Sequence, residues 1–228
     1  MEKWPIGIGN CRVIKLSFEG AGSEGLNVLC LGAHSDDIEI GCGGTLLQFK
    51  KNFLRLRFHW VVLSASGPRL QEATKAADLF TTGCEKELVL RDFRDGFLPY
   101  SGGAVKDFFE EMKKQINPDL IFTHWHGDAH QDHRLLSELT WNTFRNHFIL
   151  EYEVPKYDGD MGRPNVFVPL DPPVRQNKID YLFEAFASQQ AKPWFDRETF
   201  LGQMRIRGME CNAASGYAEA FHCRKLVL

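Results

Sequence analysis

One short segment limits what this chain can fold into. An apolar run at 28–31 leads directly into the segment 32–37, which reads G-A-H-S-D-D, and a glycine cluster follows at 41–44. This order is typical of a buried parallel strand, a loop and a closely packed helix, and open α/β sheets bind ligands at such loops. Because the loop carries one imidazole and two carboxylates, a bound metal ion is the simplest way to offset their desolvation.

The rest of the chain alternates between apolar runs and amphipathic segments. The pattern predicts strands near 12–18, 27–32, 59–63, 87–90, 119–123, 148–152 and 221–228, and helices over 43–52, 70–81, 105–116, 133–146, 179–186 and 196–208. Prolines and glycines between 154 and 173 predict loops. Such alternation indicates one α/β domain over 1–228, with a Rossmann-like, doubly wound and mainly parallel sheet that carries helices on both faces.

Composition narrows the class of protein further. A net charge of −3 gives no reason to expect a nucleic-acid or anionic membrane partner. No apolar run approaches the ~18 residues of a spanning helix, and the N-terminus lacks the features of a signal peptide. The six cysteines are scattered without a C-x-x-C motif. We therefore expect a cytoplasmic protein without disulfides or membrane insertion, of a size that is compatible with a homo-oligomer.

A second polar cluster follows the strand predicted at 119–123. Four of the eight histidines lie between 124 and 133, together with two aspartates. A single exposed loop histidine is ordinarily just solvated, but four of them beside two carboxylates favour metal or acid–base chemistry. His124, Trp125 and His126 can equally serve only to shape the loop.

The two clusters together match the needs of a catalytic zinc site, which commonly takes two histidines, one carboxylate and an open position for water. The first cluster can supply His34 and Asp37, and the second can supply His130 or His133. Asp36 then remains free as a general base toward a metal-activated water.

These residues resemble the motifs of the PIG-L/LmbE-like family of zinc-dependent de-N-acetylases. The family motif A-H-P-D-D with a following G-x-G-G-T resembles 33–37 and 41–45, and the motif H-P-D-H-R resembles 130–134. The R-x-x-E and D-G elements of the family resemble the segments that begin at Arg69 and Asp95. Further similarity lies at 207–208 and 217–221.

Three positions depart from the family pattern. Ser35 and Gln131 stand where the family has proline, which removes stiffness from both loops but no ligand. Asp128 stands where some relatives have a tyrosine that can touch the oxyanion, and an ionised carboxylate cannot donate that hydrogen bond. The resemblance then leaves oxyanion stabilisation to zinc and His130.

The resemblance implies an LmbE-like fold and a zinc-dependent N-deacetylase that acts on an N-acetylated amino sugar or sugar conjugate of the N-acetylglucosamine type. Fe²⁺ can occupy similar sites. The implied roles are zinc ligands for His34, Asp37 and His133, general base for Asp36, cationic oxyanion partner for His130 with Asp132 orienting it, and sugar contacts for Arg69 and Asp95.

Two aromatic residues are further candidates for sugar contacts. Tyr157 lies in a stretch, 152–160, that mixes aromatic and acidic residues, as suits sugar faces and hydroxyls. Its alternative is an ordinary connecting loop, and the alternative for Trp125 is a packing anchor. Arg69 can likewise simply decorate its helix, and Asp95 before a glycine is common turn chemistry.

Two other functions stay open at this point. One is hydrolysis of a different amide bond in a sugar or thiol conjugate. The other is a non-catalytic Rossmann-type protein that binds a nucleotide sugar, although the glycines at 41–44 match G-x-G-x-x-G poorly and follow the acidic loop.

Overall fold

The computed structural model describes residues 25–227, so the strand predicted at 12–18 lies outside the described residues. The strands are β1 (Leu26–His34), β2 (Leu56–Ser64), β3 (Glu85–Leu90), β4 (Leu120–His124), β5 (Phe148–Tyr152), β6 (Val166–Pro169) and β7 (Ala218–His222). The helices are α1 (Asp37–Asn52), α2 (Pro68–Thr81), α3 (Gly102–Gln115), α4 (Gln131–Thr143), α5 (Pro172–Ala185) and α6 (Arg197–Glu210), with short 3₁₀ helices at Leu98–Ser101 and Ala187–Gln189. Over 25–227, none of these helices is long and apolar enough to cross a membrane.

The strands form one seven-stranded sheet in the order β3-β2-β1-β4-β5-β7-β6. Strands β1 to β5 run parallel, whereas β7 is antiparallel to both β5 and β6. The predicted mainly parallel, doubly wound α/β fold is therefore confirmed. The chain leaves β1 toward β2 and β3 on one side and then crosses to β4 on the other, so the topological switch point lies between β1 and β4.

Both faces of the sheet are buried, as the continuous apolar character of its strands predicts. Val28 and Cys30 of β1 point into one core with α1, α2, α5 and α6, whereas Leu29 and Leu31 point into a second core with α3 and α4. This alternation follows from the two-residue period of a strand. The loops that follow β1 and β4 are thereby held between two packed layers at one edge of the sheet.

Helix α1 begins at Asp37, so the prediction of its start at residue 43 was wrong. The whole glycine cluster at 41–44, of which only 43 and 44 were predicted to be helical, lies inside the helix. A Cβ atom at Gly41 would collide with the Tyr152 ring, and one at Gly43 would collide with the Phe80 ring. These glycines therefore mark close packing of α1 on its neighbours, and they bring the first polar cluster onto the first turn of a helix.

The antiparallel edge of the sheet also differs from the prediction. The 154–173 region, predicted as loops, contains the short edge strand β6, which ends at Pro169. The last strand lies at 218–222 rather than at 221–228. Proline is tolerated at such an edge because no further strand needs its missing N–H group. Propensity alone revealed neither β6 nor the start of β7, because both depend on pairing between strands that are remote in sequence.

Candidate metal centre and active site

The two polar clusters meet at the switch point of the sheet. His34 is the last residue of β1, and Asp36 and Asp37 occupy the N-cap and first position of α1. His124 ends the neighbouring strand β4, and His130 is the N-cap of α4. Because both helices start here, their N-terminal amides and dipoles favour the carboxylates of the site. The sequence prediction that the two clusters converge is thus matched by the fold.

The three predicted metal ligands lie within contact of one another. Nδ1 of His34 is 3.1 Å from Nε2 of His133 and 3.3 Å from Oδ2 of Asp37, and Oδ1 of Asp37 is 3.5 Å from Nε2 of His133. Ligands about 2.0–2.1 Å from a tetrahedral zinc ion lie roughly 3.3 Å apart. The spacing and the N/O donor set therefore fit a metal ion between His34, Asp37 and His133, with the two imidazoles nearest to different oxygens of Asp37.

The cluster also attracts positive charge. Burial disfavours the imidazolium form of His34, yet Asp37 and Asp132 raise the pKa of this ring well above its usual value. The pKa of His133 is raised in the same way, against its burial, by Asp37 and Asp128. Burial opposes ionisation of Asp37 as well, but the histidines around it, His133 first, hold the pKa of this carboxyl well below its usual range. A cation bound here would displace the protons on the two imidazoles.

His124 lies within this cluster, although its sequence context left open whether it serves the site or only shapes the loop. Three overlapping groups of close potential ligands exist among residues 25–227: His34, His130 and His133; Asp37, His124 and His133; and His34, Asp95 and Asp132. The His124 ring is buried, stacks on His133 with centroids 3.8 Å apart, and brings Nε2 within 3.2 Å of Oδ2 of Asp37. Burial, and then the charge of His133, lower its pKa to about 4, so it contributes a neutral ring. The available signal was its position at the end of a buried strand.

Two aspartates from the second cluster hold the outer sides of the histidine ligands. Asp132 Oδ2 lies 3.2 Å from Nε2 of His34, and Asp128 Oδ2 lies 3.0 Å from Nδ1 of His133. Such carboxylate–histidine pairs fix the tautomer and orientation of a metal ligand. Asp128 is the second residue whose part in the site the sequence did not reveal, since it was noted only as a missing tyrosine.

The geometry departs from the implied roles of Asp132 and His130. The carboxylate of Asp132 contacts His34, whereas its backbone N–H donates to Nδ1 of His130 over 3.2 Å. Because Nδ1 accepts this bond, neutral His130 carries its proton on Nε2. Burial, followed by the charges of His133 and His34, lowers the pKa of His130.

Asp36 forms an ion pair with Arg69. The Arg69 NH2 group donates to Oδ1 of Asp36 over 2.8 Å, and the Asp36 side chain is only 6% exposed. The other terminal nitrogen, NH1, is buried without a hydrogen-bond partner among the described residues and lies 3.5 Å from Glu72. In this structure Arg69, predicted to contact a sugar, is thus the ion-pair partner of Asp36.

Asp95 lies at the open side of the centre. Its side chain is 79% exposed, and Oδ1 is 3.1 Å from Nε2 of His34, a contact that lowers the pKa of Asp95. Gln131, at a proline position of the family motif, donates from Nε2 to the Gly96 carbonyl oxygen over 3.0 Å. A side chain that proline lacks therefore ties α4 to the loop that carries Asp95.

The two aromatic candidates differ in their surroundings. Trp125 stacks on His222 with ring centroids 4.7 Å apart. Its indole also packs closely against Gly127 and Gly162, and a Cβ atom at either glycine would collide with the ring. These contacts are those of a packing anchor. Tyr157 is 73% exposed on the loop between β5 and β6, and no contact places it beside the metal donors.

The fold therefore places a His/carboxylate cluster that could hold a metal ion at its switch point. A model of the PIG-L family, which carries the description GlcNAc-PI de-N-acetylase, matches residues 29–144. The chain belongs to the PIG-L family, whose deacetylases are generally metal-dependent. This membership supports a sugar-related deacetylase of hydrolytic type.

Individual relatives agree with this family and fold. An Escherichia coli (strain K12) protein named uncharacterized deacetylase YaiS is 26% identical over 155 residues, which cover 63% of this chain and 82% of that protein. The N,N'-diacetylchitobiose deacetylase from Pyrococcus horikoshii superposes with a TM-score of 0.67 at 22% identity, over 88% of this chain and 84% of that one. The conserved protein TT1542 from Thermus thermophilus gives a TM-score of 0.68 at 22% identity, over 89% of this chain and 96% of that one.

Proposed function

We propose that this chain is a zinc-dependent N-deacetylase that hydrolyses the acetamide group of an N-acetylated amino sugar or sugar conjugate to acetate and a free amine. One observation carries the proposal. The donors of His34, Asp37 and His133 converge at the switch point, while the adjacent carboxylate of Asp36 is paired with Arg69. The family and the diacetylchitobiose deacetylase with the same fold support an acetylated sugar as substrate.

The donor set favours zinc, because two imidazoles and one carboxylate with an open position are typical of catalytic zinc, although Fe²⁺ accepts the same ligands. When bound, such an ion polarises the acyl oxygen and makes water a stronger nucleophile near neutral pH. The protein contributes neutral His34 and His133, whose outer nitrogens face Asp132 and Asp128.

Asp36 acts as the general base. Arg69 occupies Oδ1 of Asp36, which leaves Oδ2 as the oxygen that accepts a proton from the attacking water. The same oxygen then returns the proton to the amide nitrogen as the C–N bond breaks, so that the amine leaves in neutral form. The acyl product keeps the second proton of the water as acetic acid, which loses it to solvent and becomes acetate. A general base in this position typically contributes a factor of about 10²–10⁴ to the rate.

His130 stabilises the negative charge that develops on the acyl oxygen. Its Nδ1 is occupied by the backbone N–H of Asp132, so its Nε2–H is the donor that can face the substrate. A fixed donor of this kind stabilises the transition state because it needs no reorganisation during the reaction. The neutral ring performs this role without the cation that the family resemblance implies.

The sugar is held at the open side of the centre. The exposed carboxylate of Asp95 accepts hydrogen bonds from sugar hydroxyls, whereas Arg69 is the partner of Asp36. Tyr157 contacts the part of the substrate that lies farthest from the metal centre, because its ring is exposed on the loop between β5 and β6.

A panel of N-acetylated sugars tests this function. The panel contains free N-acetylglucosamine, a nucleotide-sugar form, N,N'-diacetylchitobiose and several glycosides, and acetate release is measured with metal analysis of the same sample. We expect release that requires bound zinc, with the best substrate defining the conjugate. A protein that holds zinc but releases acetate from no member would reject acetylated sugars and favour another amide.

A further inference from the structure

Residues 153–165 connect β5 to β6 and are called the β5–β6 loop below. One lysine of this loop, Lys156, has a largely buried side chain. The Lys156 side chain is only 11% exposed. Its ammonium group donates to Oδ2 of Asp128 over 2.9 Å, to Oδ2 of Asp160 over 2.6 Å and to the carbonyl oxygen of Val154 over 3.3 Å. A lysine is rarely buried to this extent unless all its donors are satisfied, and here three acceptors satisfy them.

The first of these acceptors, Asp128, also contacts a predicted metal ligand. Asp128 is 2% exposed, and its Oδ2 atom is shared between Lys156 and Nδ1 of His133. Its Oδ1 atom accepts the backbone N–H of His130 over 2.7 Å. Burial opposes ionisation of Asp128, but His133 and Lys156 hold the pKa of this carboxyl well below its usual range. Both carboxylate oxygens of Asp128 therefore have hydrogen-bond partners.

A second contact returns from the loop to the same turn. Asp160, which accepts from Lys156, also accepts the backbone N–H of Ala129 over 2.6 Å. The segment 128–130 is thus held by the β5–β6 loop at two points. The far end of the loop is anchored elsewhere, because Gly162 donates to Glu153 and accepts from Arg207.

We propose that Lys156 is a positioning residue for the metal ligand His133, and that through Asp128 it couples the β5–β6 loop to the metal centre. The inference rests on the metal site of the proposed function. Lys156 keeps Asp128 in the one position from which its carboxylate accepts from Nδ1 of His133, so that Nε2 faces the other donors. The loop that presents Tyr157 to solvent is consequently ordered by the same contacts.

Thermodynamic linkage gives this coupling two directions. If the seated loop improves metal binding, then metal binding must stabilise the seated loop by the same free energy. Loss of an outer contact of a ligand typically lowers metal affinity or activity by about 10–100-fold. A lysine that only anchors the loop would change neither zinc affinity nor the response of the loop to zinc.

The test uses four full-length proteins: the wild type, Lys156→Met, Lys156→Arg and the matched control Lys75→Met. Lys75, on α2, also donates to a carbonyl oxygen and forms one ion pair, both with Glu184, but contacts no site residue. The zinc dissociation constant is measured by chelator competition. Hydrogen exchange of the amides of 153–162 is measured with and without zinc.

We expect Lys156→Met to bind zinc about 10–100-fold more weakly than the wild type. Lys156→Arg, which keeps the charge, should stay within a few-fold of the wild type, and Lys75→Met should be unchanged. Zinc should slow exchange of 153–162 in the wild type but not in Lys156→Met. If Lys156→Met does not fold, the coupling is still tested by hydrogen exchange of 153–162 in the wild type and in Lys156→Arg, each measured with and without zinc.

Two results would overturn the inference. Zinc affinity of Lys156→Met equal to that of Lys75→Met, or exchange of 153–162 that ignores zinc in the wild type, would reject the coupling while the proposed function stands. A wild-type protein that binds no zinc at all would instead reject the metal site, and both proposals with it.

Discussion

The carboxylate of Asp132 lies 3.2 Å from Nε2 of His34, on the side of the ring that faces away from Nδ1 and Asp37. The backbone N–H groups of Gly96 and Leu98 donate to the same carboxylate over 2.8 and 3.1 Å. Because Asp132 is held from the backbone, it can fix the direction of the His34 ring. The carboxylate of Asp132 thus contacts the predicted metal ligand His34, whereas its contact with His130 is through the backbone N–H.

We predict that Asp132→Asn weakens zinc binding by about 10–100-fold, because the amide no longer fixes the proton on Nε2 of His34. The zinc dissociation constant checks this. If Asp132 instead orients His130, as the family resemblance implies, zinc affinity will stay at the wild-type value while kcat falls.

We predict that Asp36→Asn keeps zinc but lowers kcat by roughly two or more powers of ten, because an amide cannot accept the proton of the attacking water. Acetate release and metal content are measured on the same preparation. Unchanged turnover in a zinc-loaded Asp36→Asn protein would remove Asp36 from the role of base.

The ion pair between Arg69 and Asp36 predicts that Arg69→Met acts mainly on kcat. A hydrogen bond to a charged group contributes about 1.5–3 kcal/mol, so a decrease of roughly 10–150-fold is expected, with KM changed much less. Steady-state kinetics separate the two parameters. A rise in KM at constant kcat would mean that Arg69 serves the sugar and not the base.

A buried ion pair between Lys178 and Glu219 contacts helix α1, whose first turn carries Asp37. Nζ of Lys178 lies 2.5 Å from Oε1 of Glu219, whose carboxylate accepts the N–H groups of Gly44 and Thr45. Lys178→Met leaves that buried carboxylate without its counter-ion, which typically costs about 3–5 kcal/mol, so a loss of this size in the free energy of unfolding is expected.

Urea denaturation measures the effect of Lys178→Met. The control Lys51→Met removes an exposed ion pair with Asp171, which should cost about 1 kcal/mol or less. Equal destabilisation by the two variants would show that burial of the Lys178–Glu219 pair has no special weight.

Much of the fold followed from periodicity alone. The apolar runs of β1, β2 and β4 are buried on both faces, so each is long enough and uniform enough to be read as a parallel strand. The edge strand β6 lacks such an apolar run, since it is short and half-buried and has prolines close by in the sequence. Its formation depends on pairing with β7, which is remote in sequence.

The residues of the site also fall into those that the sequence predicted and those that it did not. The convergence of His34, Asp37 and His133 was predictable, because parallel strands end at one edge and both motifs directly follow such strands. The roles of Asp128 and His124 were not, because they depend on which way a side chain turns within a loop or at a strand end. The spacing of charges in a sequence does not contain that orientation.

Removal and stepwise return of the metal is the decisive experiment for a zinc-dependent deacetylase. The wild type is stripped with a chelator, zinc is added back, and acetate release from the best member of the sugar panel is followed beside Asp36→Asn. We expect wild-type activity to rise with zinc and to level off near one ion per chain, and Asp36→Asn to bind the same amount without comparable activity. Acetate release by the metal-free wild type, or full zinc loading without release from any acetylated sugar, would contradict the proposed function.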